Sequence, residues 1–517
     1  MSRFRRAIHG VFSSYILLAA TAVYSLASVP VALHYLDKER FGLWVLMGTL
    51  VGYLNLIDAG MTGAAARLLI DHKDDRGGGH YGSLIKTGWL VSVVQGAIIF
   101  LTGLVFAHTF ALALDIPAAL QPEFIQLVNW QCGVMALGFA TRILNLILGA
   151  HQRMDWVNYV GVGSLLLNFI TQWFLFHLGF GVLSLVGGGL AGLVLTLAAQ
   201  GLACQMLKLW PSPQGWGRVS WLHFKELFNY GRDVFLVAVG TQLIMTSQII
   251  VITRLLGLEA AAVWAIGLRV FNLLTQIVWR VFDMSGNALA EMLARDELAR
   301  LRDRYRSLAI LSFSFAGWAA VSFAVCNSLF VTIWTHGKVQ WPAGNDWLLA
   351  LWMFISTVVH CHNSFVVMTK QIGFMRYLYF IEGVVFVALS WVLAPSGGLP
   401  AIIGCSVLCS SVLSGAYGIW RISHFFAVPF REVAWGWLQP MATMLFFYLP
   451  VAVLIWWVPL PLSGIIRLGI NAGLAGSIGA LLFLRYGIPA GLQSELLERV
   501  PARIGLFFKM FLIKPAQ

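Results

Sequence analysis

The sequence predicts an all-α integral membrane protein. It should have about fourteen transmembrane helices, in two six-helix lobes related by pseudo-two-fold symmetry plus two extra C-terminal helices. Three observations lead there. Of 517 residues, 59% are hydrophobic and only 11% charged, where soluble domains carry about a quarter charged residues. Apolar runs of membrane-spanning length recur from one end of the chain to the other. A stretch near the N-terminus also returns, in outline, 220 positions later.

That stretch is LDKERFGLWVLMGTLVGYLNLIDAGMTGAAAR, Leu36 to Arg67, and its echo is LGLEAAAVWAIGLRVFNLLTQIVWRVFDMSGN, Leu256 to Asn287. Leu36 meets Leu256, Glu39 meets Glu259, Trp44 meets Trp264, Leu54 meets Leu274 and Ile57 meets Ile277. Both copies enter an apolar segment through a short acidic turn and carry polar residues deep inside it. Parallel repeats of six-helix halves with a site at their interface are a common plan among secondary transporters.

Taken in order, hydropathy places spans at roughly 12–36, 42–66, 84–107, 124–149, 155–178, 182–208, 231–255, 260–289, 306–333, 347–369, 375–394, 400–424, 433–457 and 462–485. The first follows Arg3, Arg5 and Arg6, and at this length it reads as an anchor rather than a signal-peptide core. The segment WPSPQGWG, Trp210 to Gly217, breaks any helix with two prolines and two glycines. It divides an N-terminal lobe (1–209, spans 1–6) from a C-terminal lobe (221–430, spans 7–12), with 210–220 as a cytoplasmic linker. Residues 431–517 hold spans 13–14 and a tail in which Ile504–Ile513 reads as an interfacial helix.

The net charge of +12 does not point to nucleic acid, because the basic residues lie scattered between apolar segments. Only Lys38, Arg40, Arg254 and Lys338 fall in the loops on one side of the predicted topology. The rest of the loop and tail cations place both termini in the cytoplasm. Loops on the opposite side are short, the longest being 108–123 and 334–346, which leaves no room there for a catalytic domain. The six cysteines (Cys132, Cys204, Cys326, Cys361, Cys405, Cys409) show no metal spacing. His360 and His362 sit two apart on a helix, about 200° around the axis, so they cannot share one metal ion. No metal and no cofactor is expected.

Polar residues inside spans carry the functional expectations, since each is costly in lipid. Span 8 holds Arg269, Asn272, Gln276, Arg280 and Asp283 within an arc of roughly 80° and about 21 Å of helix. Such a face should meet water or protein. Arg280 and Asp283, three apart, have two readings: mutual neutralisation or a role in a cavity. Arg269 has no acidic residue within a turn and is read as lining the cavity. Span 2 sets Asn55, Asp58 and Thr62 on one face. Asp58 precedes Ala59-Gly60, where a packing or hydrogen-bonding role is favoured over proton coupling. Arg142 in span 4 lies about two turns from the cytoplasmic end and can snorkel. Glu382 in span 11 is a second candidate for coupling, alongside Asp283.

The span-1 to span-2 unit, LDKERFGLW followed by LNLIDAG and a cytoplasmic stretch beginning at Arg67, resembles the polysaccharide transporter family. That family includes the O-antigen and capsule flippases of the multidrug/oligosaccharidyl-lipid/polysaccharide exporter superfamily. The resemblance implies a non-enzymatic, secondary-active flippase in the bacterial inner membrane. Its substrate would be a lipid-diphosphate-linked oligosaccharide, a polyprenyl diphosphate glycan destined for surface polysaccharide such as lipopolysaccharide. It also implies H+ or Na+ as coupling ion, membrane lipids as surroundings, and polymerase or chain-length machinery as partners. Arginines suit a diphosphate because the guanidinium fork matches phosphate oxygens. Two alternatives compete: a multidrug extruder, whose usual acidic residue in span 1 is lacking here, and a membrane glycan polymerase or ligase, which needs a large external loop.

Overall fold

The computed structural model describes residues 3–493 except 76, 370, 372, 459, 460 and 490. The expected interfacial helix at Ile504–Ile513 lies outside them. All regular structure among the described residues is helical, and the fold is the all-α membrane architecture expected. Two compact units divide the chain, Met1–Ala262 and Val263–Gln517.

The first unit contains α1 (Arg3–Tyr35), α2 (Lys38–Leu54), α3 (Met61–His72), α4 (His80–Ala113), α5 (Gln121–Thr141), α6 (Ile143–Ala150), α7 (Met154–His177), α8 (Leu183–Met206) and α9 (Trp221–Leu256). α4 packs on α5, and α7 packs on both α1 and α8. Small residues allow these close approaches: a Cβ on Gly96 would strike the Ala136 carbonyl, and one on Gly192 would meet Ser164. α9 lies along α2 and α3, where Tyr53 bonds Ser247; just past the end of α9, Glu259 pairs with Lys38 at 2.5 Å.

The proline-rich linker is docked rather than loose. A Cβ on Gly82 of α4 would strike the Gly215 carbonyl and the Trp216 backbone, so the linker runs flush against the first turn of α4. Ser83 Oγ donates to the Arg218 carbonyl at 2.6 Å, Lys86 Nζ to the Gly217 carbonyl at 3.1 Å, and the Ser220 amide to Thr87 Oγ1 at 3.1 Å. Trp210 and Trp216 stack on one another at 5.8 Å.

α10 (Leu258–Gly267) leads into the second unit, which holds α11 (Arg269–Asp283), α12 (Gly286–Ala294), α13 (Leu298–Trp334), α14 (Gly344–Met368), α15 (Met375–Ser410), α16 (Ala416–Phe425), α17 (Gln439–Trp457) and α18 (Gly464–Leu482). Its central post is α13, which packs on α11, α14, α17 and α18. Buried Ser312, Ser314, Ala316, Gly317, Ala320 and Ala324 let those neighbours close around it. Large apolar side chains elsewhere stay uncovered, among them Leu101, Leu104, Val105 and Phe106 on α4 and Trp391 and Val392 on α15. This is the composition of a lipid-facing surface.

Among the described residues, twelve helices are long and apolar enough to cross a membrane, and the pair α10–α11, bent by 41°, makes a thirteenth. The expected fourteen differs from this count at one place. Spans 11 and 12 run together as one 51-residue segment, Met375–Phe425, about 76 Å of helix against ~30 Å of hydrocarbon. Its break is at Gly398, whose φ of 59° an L-residue rarely adopts, between Pro395 and Pro400.

Candidate functional site

Polar groups within the spans gather where helices break, one set in each unit. In the first unit, α2 tightens into a 3-10 turn at Asn55–Asp58, and Ala59 and Gly60 follow with φ of 47° and 73°. Breaking a helix inside a membrane orphans carbonyls at one end and amides at the other. Both are answered here. Gln95, buried on α4, donates Nε2 to the carbonyls of Ile57 (3.1 Å) and Asp58 (3.2 Å). The Asp58 carboxylate accepts the Thr62 amide at 3.3 Å and the Thr62 hydroxyl, capping α3.

Arg142 completes this set from the break between α5 and α6. Its guanidinium donates to Asp58 Oδ1 at 2.9 Å and to Thr62 Oγ1 at 2.8 Å, and it lies over the Phe139 ring at 3.8 Å. Asp58 and Arg142 keep 19% and 25% of their side-chain surface exposed. Arg142 is therefore held by span 2 and is not extended along its own helix as a snorkelling side chain would be. Gln95 was missed from sequence, although a lone amide inside span 3 was a visible signal.

In the second unit the residues of interest lie on α11. Phe271, Thr275, Val278 and Phe282 are buried, with Phe271 stacked on Trp352 at 5.1 Å and Phe282 edge-on to Tyr305 at 5.8 Å. These four fall on the side of the helix opposite the polar arc. On that arc Asn272, Gln276 and Asp283 are exposed, and Arg269 and Arg280 are partly buried. All five expected residues are thus brought to one face of one helix.

The bend before α11 is anchored by Asn327 of α13, whose Nδ2 donates to the Gly267 carbonyl (3.2 Å) and to Asp346 Oδ1 (2.7 Å). Trp341 Nε1 donates to the same Asp346 oxygen at 2.6 Å. Asp346 gave no signal in sequence because it lies at the junction of a loop and α14.

Arg280 and Asp283 do not pair. The carboxylate of Asp283 instead meets His360 of α14, Nε2 to Oδ1 at 2.8 Å. The His360 ring lies flat on Trp279, centroids 4.3 Å apart and planes 3° off parallel. His362 turns elsewhere, its Nδ1 bonded to the Tyr305 hydroxyl at 2.6 Å. The two imidazoles have separate partners, and no group of three metal-ligating side chains converges among the described residues.

Glu382 of α15 is buried. Its carboxylate accepts the Ser410 hydroxyl and the Ser414 amide, both at 3.0 Å. Ser414 lies in a π-turn, Ser411–Gly415, so the carboxylate satisfies an amide that the irregular turn frees. Sequence could not find these partners, which are 28 and 32 residues away.

A family model described as "Polysaccharide biosynthesis protein" matches residues 34–340. No curated protein matches the chain. Among solved structures, the lipid II flippase MurJ in its inward closed conformation is 12% identical, with a TM-score of 0.63 over 92% of this chain and 99% of that one. An inward-facing multidrug resistance MATE family transporter of the MOP superfamily is 16% identical, with a TM-score of 0.62 over 78% of this chain and 95% of that one. A MATE in complex with MaL6 is 15% identical, with a TM-score of 0.57 over 81% and 97%. At these identities the likeness is one of fold.

Proposed function

The chain belongs to the polysaccharide biosynthesis protein family, and on that premise we propose that this multi-pass membrane transporter moves lipid-diphosphate-linked oligosaccharide across the bacterial inner membrane. One observation carries the reading: α11, inside a membrane span, gathers two partly buried arginines, two exposed amides and an exposed carboxylate on one face. A lipid-linked glycan asks for this chemistry. Its diphosphate needs guanidinium donors in a polar groove, its sugars need amides, and its tail stays in lipid. Arg269 and Arg280 are the proposed diphosphate ligands, with Asn272 and Gln276 beside them for hydroxyl groups. The Asp58–Arg142 pair supports the broken span 2. The fold shared with the lipid II flippase supports the same reading. Movement by alternating access, driven by an ion gradient, needs neither nucleotide nor catalytic residue.

Complementation of surface polysaccharide in a strain lacking the transporter tests this, with membrane levels of each variant measured alongside. Arg269→Ala and Arg280→Ala should abolish export at normal protein levels. Arg269→Lys should keep part of it, since charge survives and the bidentate fork does not. Normal export by a well-expressed Arg269→Ala, Arg280→Ala double variant would sink the proposal.

A further inference from the structure

We propose that His360 and Asp283 form a proton-binding pair in the second unit, and that a proton taken up there and an anionic headgroup on α11 strengthen each other's binding. The identity of that anion, a diphosphate, rests on the flippase reading above. The proton site itself rests on geometry alone.

Each unit sets an aspartate at the end of a helix against a basic side chain from another helix. In the first, Asp58 is the last residue before the break in span 2, and it meets Arg142 from span 4. In the second, Asp283 is the last residue of α11, and it meets His360 from span 10. In the repeat expected from the sequence, spans 8 and 10 would correspond to spans 2 and 4. In the first pair the base is an arginine, which does not lose its proton. In the second the base is an imidazole, the side chain whose ordinary titration falls between pH 5 and 8.

The site is built to hold that ring and still let protons reach it. Trp279, one turn before Asp283 on α11, supplies the flat face against which His360 stacks, which points Nε2 at the carboxylate. His360 keeps 20% of its side-chain surface exposed and Asp283 keeps 49%. The neighbouring groups are otherwise engaged. His362 bonds Tyr305 of α13, Tyr379 of α15 accepts no competing role because its hydroxyl receives Asn363, and Glu382 receives Ser410 and Ser414. On α12, Glu291 pairs with Arg295, and on α16 Arg421 bonds Gln371. Cys361 is buried beside the pair. Among the described residues, Arg280, one turn away on the same face of α11, is the nearest fixed charge on that helix.

Charge arithmetic then couples the two ligands. With a neutral imidazole, Arg280 and Asp283 sum to zero. When the second ring nitrogen takes a proton, Nε2 keeps its hydrogen bond to Asp283 and the three groups sum to +1. An anion arriving at the α11 stripe meets a more positive site in the protonated state. By reciprocity, the bound anion favours the protonated imidazole to the same degree.

Two measurements on the purified full chain in detergent test this. A protonated imidazole stacked on indole quenches its fluorescence, so the difference in tryptophan emission between wild type and His360→Gln should change with pH as a single sigmoid. Trp279→Phe should remove the same difference. Farnesyl diphosphate is the second probe. Its affinity should rise on acidification by at most about tenfold per pH unit, the limit for one linked proton, and His360→Gln should bind it with a flatter profile. Absence of a His360-dependent titration, or an unchanged pH profile in His360→Gln, overturns the proposal. A clear titration with no farnesyl diphosphate binding at any pH upholds the proton site and overturns the diphosphate reading. Binding without the titration does the reverse. Asp283→Asn, which keeps the helix face and removes the partner, should weaken the titration's shift by ligand and guards against a folding defect in His360→Gln.

Discussion

Arg142 and Asp58 lie 84 positions apart in sequence and 2.9 Å apart in space, at two helix breaks that face each other in the first unit. The carboxylate caps α3 while the guanidinium neutralises it, so neither residue can be removed without exposing the other. Arg142→Ala should destabilise the protein by about 2 kcal/mol, below the roughly 3–5 kcal/mol of a fully buried pair because both groups keep some solvent contact. The double variant Asp58→Asn, Arg142→Gln should recover much of the loss. Thermal unfolding in detergent reads both. Additive losses in the double variant would show that the pair does not couple.

The docked linker makes a second test. Gly82→Val places a side chain against the Gly215 carbonyl and the Trp216 backbone, and the linker must lift away. Trypsin sites at Lys208 and Arg218 flank it, so cleavage there should quicken by about tenfold or more if the segment opens locally. Gly48→Ala is the control, because a Cβ at that position meets nothing within 4 Å. Equal cleavage of the two variants would mean the linker is not held by this contact.

A third expectation concerns pH on the linker side of the first unit. His223 is outside the apolar part of α9 and bonds Ser83 Oγ at 3.0 Å. Burial lowers its pKa from the ordinary value, His80 and His72 add to that, and Glu226 opposes it. The folded state therefore binds fewer protons here than the unfolded state, whose imidazole titrates near ~6.5. The stability this site contributes is present above that pH and is lost as pH falls through it towards the lower folded value. Melting temperature should drop on acidification below about pH 6.5, and His223→Asn should flatten part of that slope. An unaltered slope would remove His223 from the account.

The Lys/Arg bias sets a topology test. A single cysteine at Ser307, in a chain freed of its six native cysteines, should resist an impermeant maleimide applied to intact cells and react once they are permeabilised. Labelling from outside would invert the orientation.

What the sequence determined by itself was local. Hydropathy marks membrane spans because a bilayer asks about twenty apolar residues of any helix that crosses it. The 100° step places Arg269, Asn272, Gln276, Arg280 and Asp283 on one face whatever surrounds that helix. Tertiary structure decided the partners. Asp283 has Arg280 three residues away and takes His360, 77 residues away. Asp58 takes Arg142, and the docked span α9 belongs to the first compact unit. It also decided where spans break: at Ala59-Gly60, before Arg269 and at Gly398. A helix satisfies its own hydrogen bonds from neighbours four residues away. A broken one in lipid must borrow from another helix, as Ile57 and Asp58 borrow from Gln95. Which helix lies close enough to lend is a property of packing, and no run of consecutive residues encodes it.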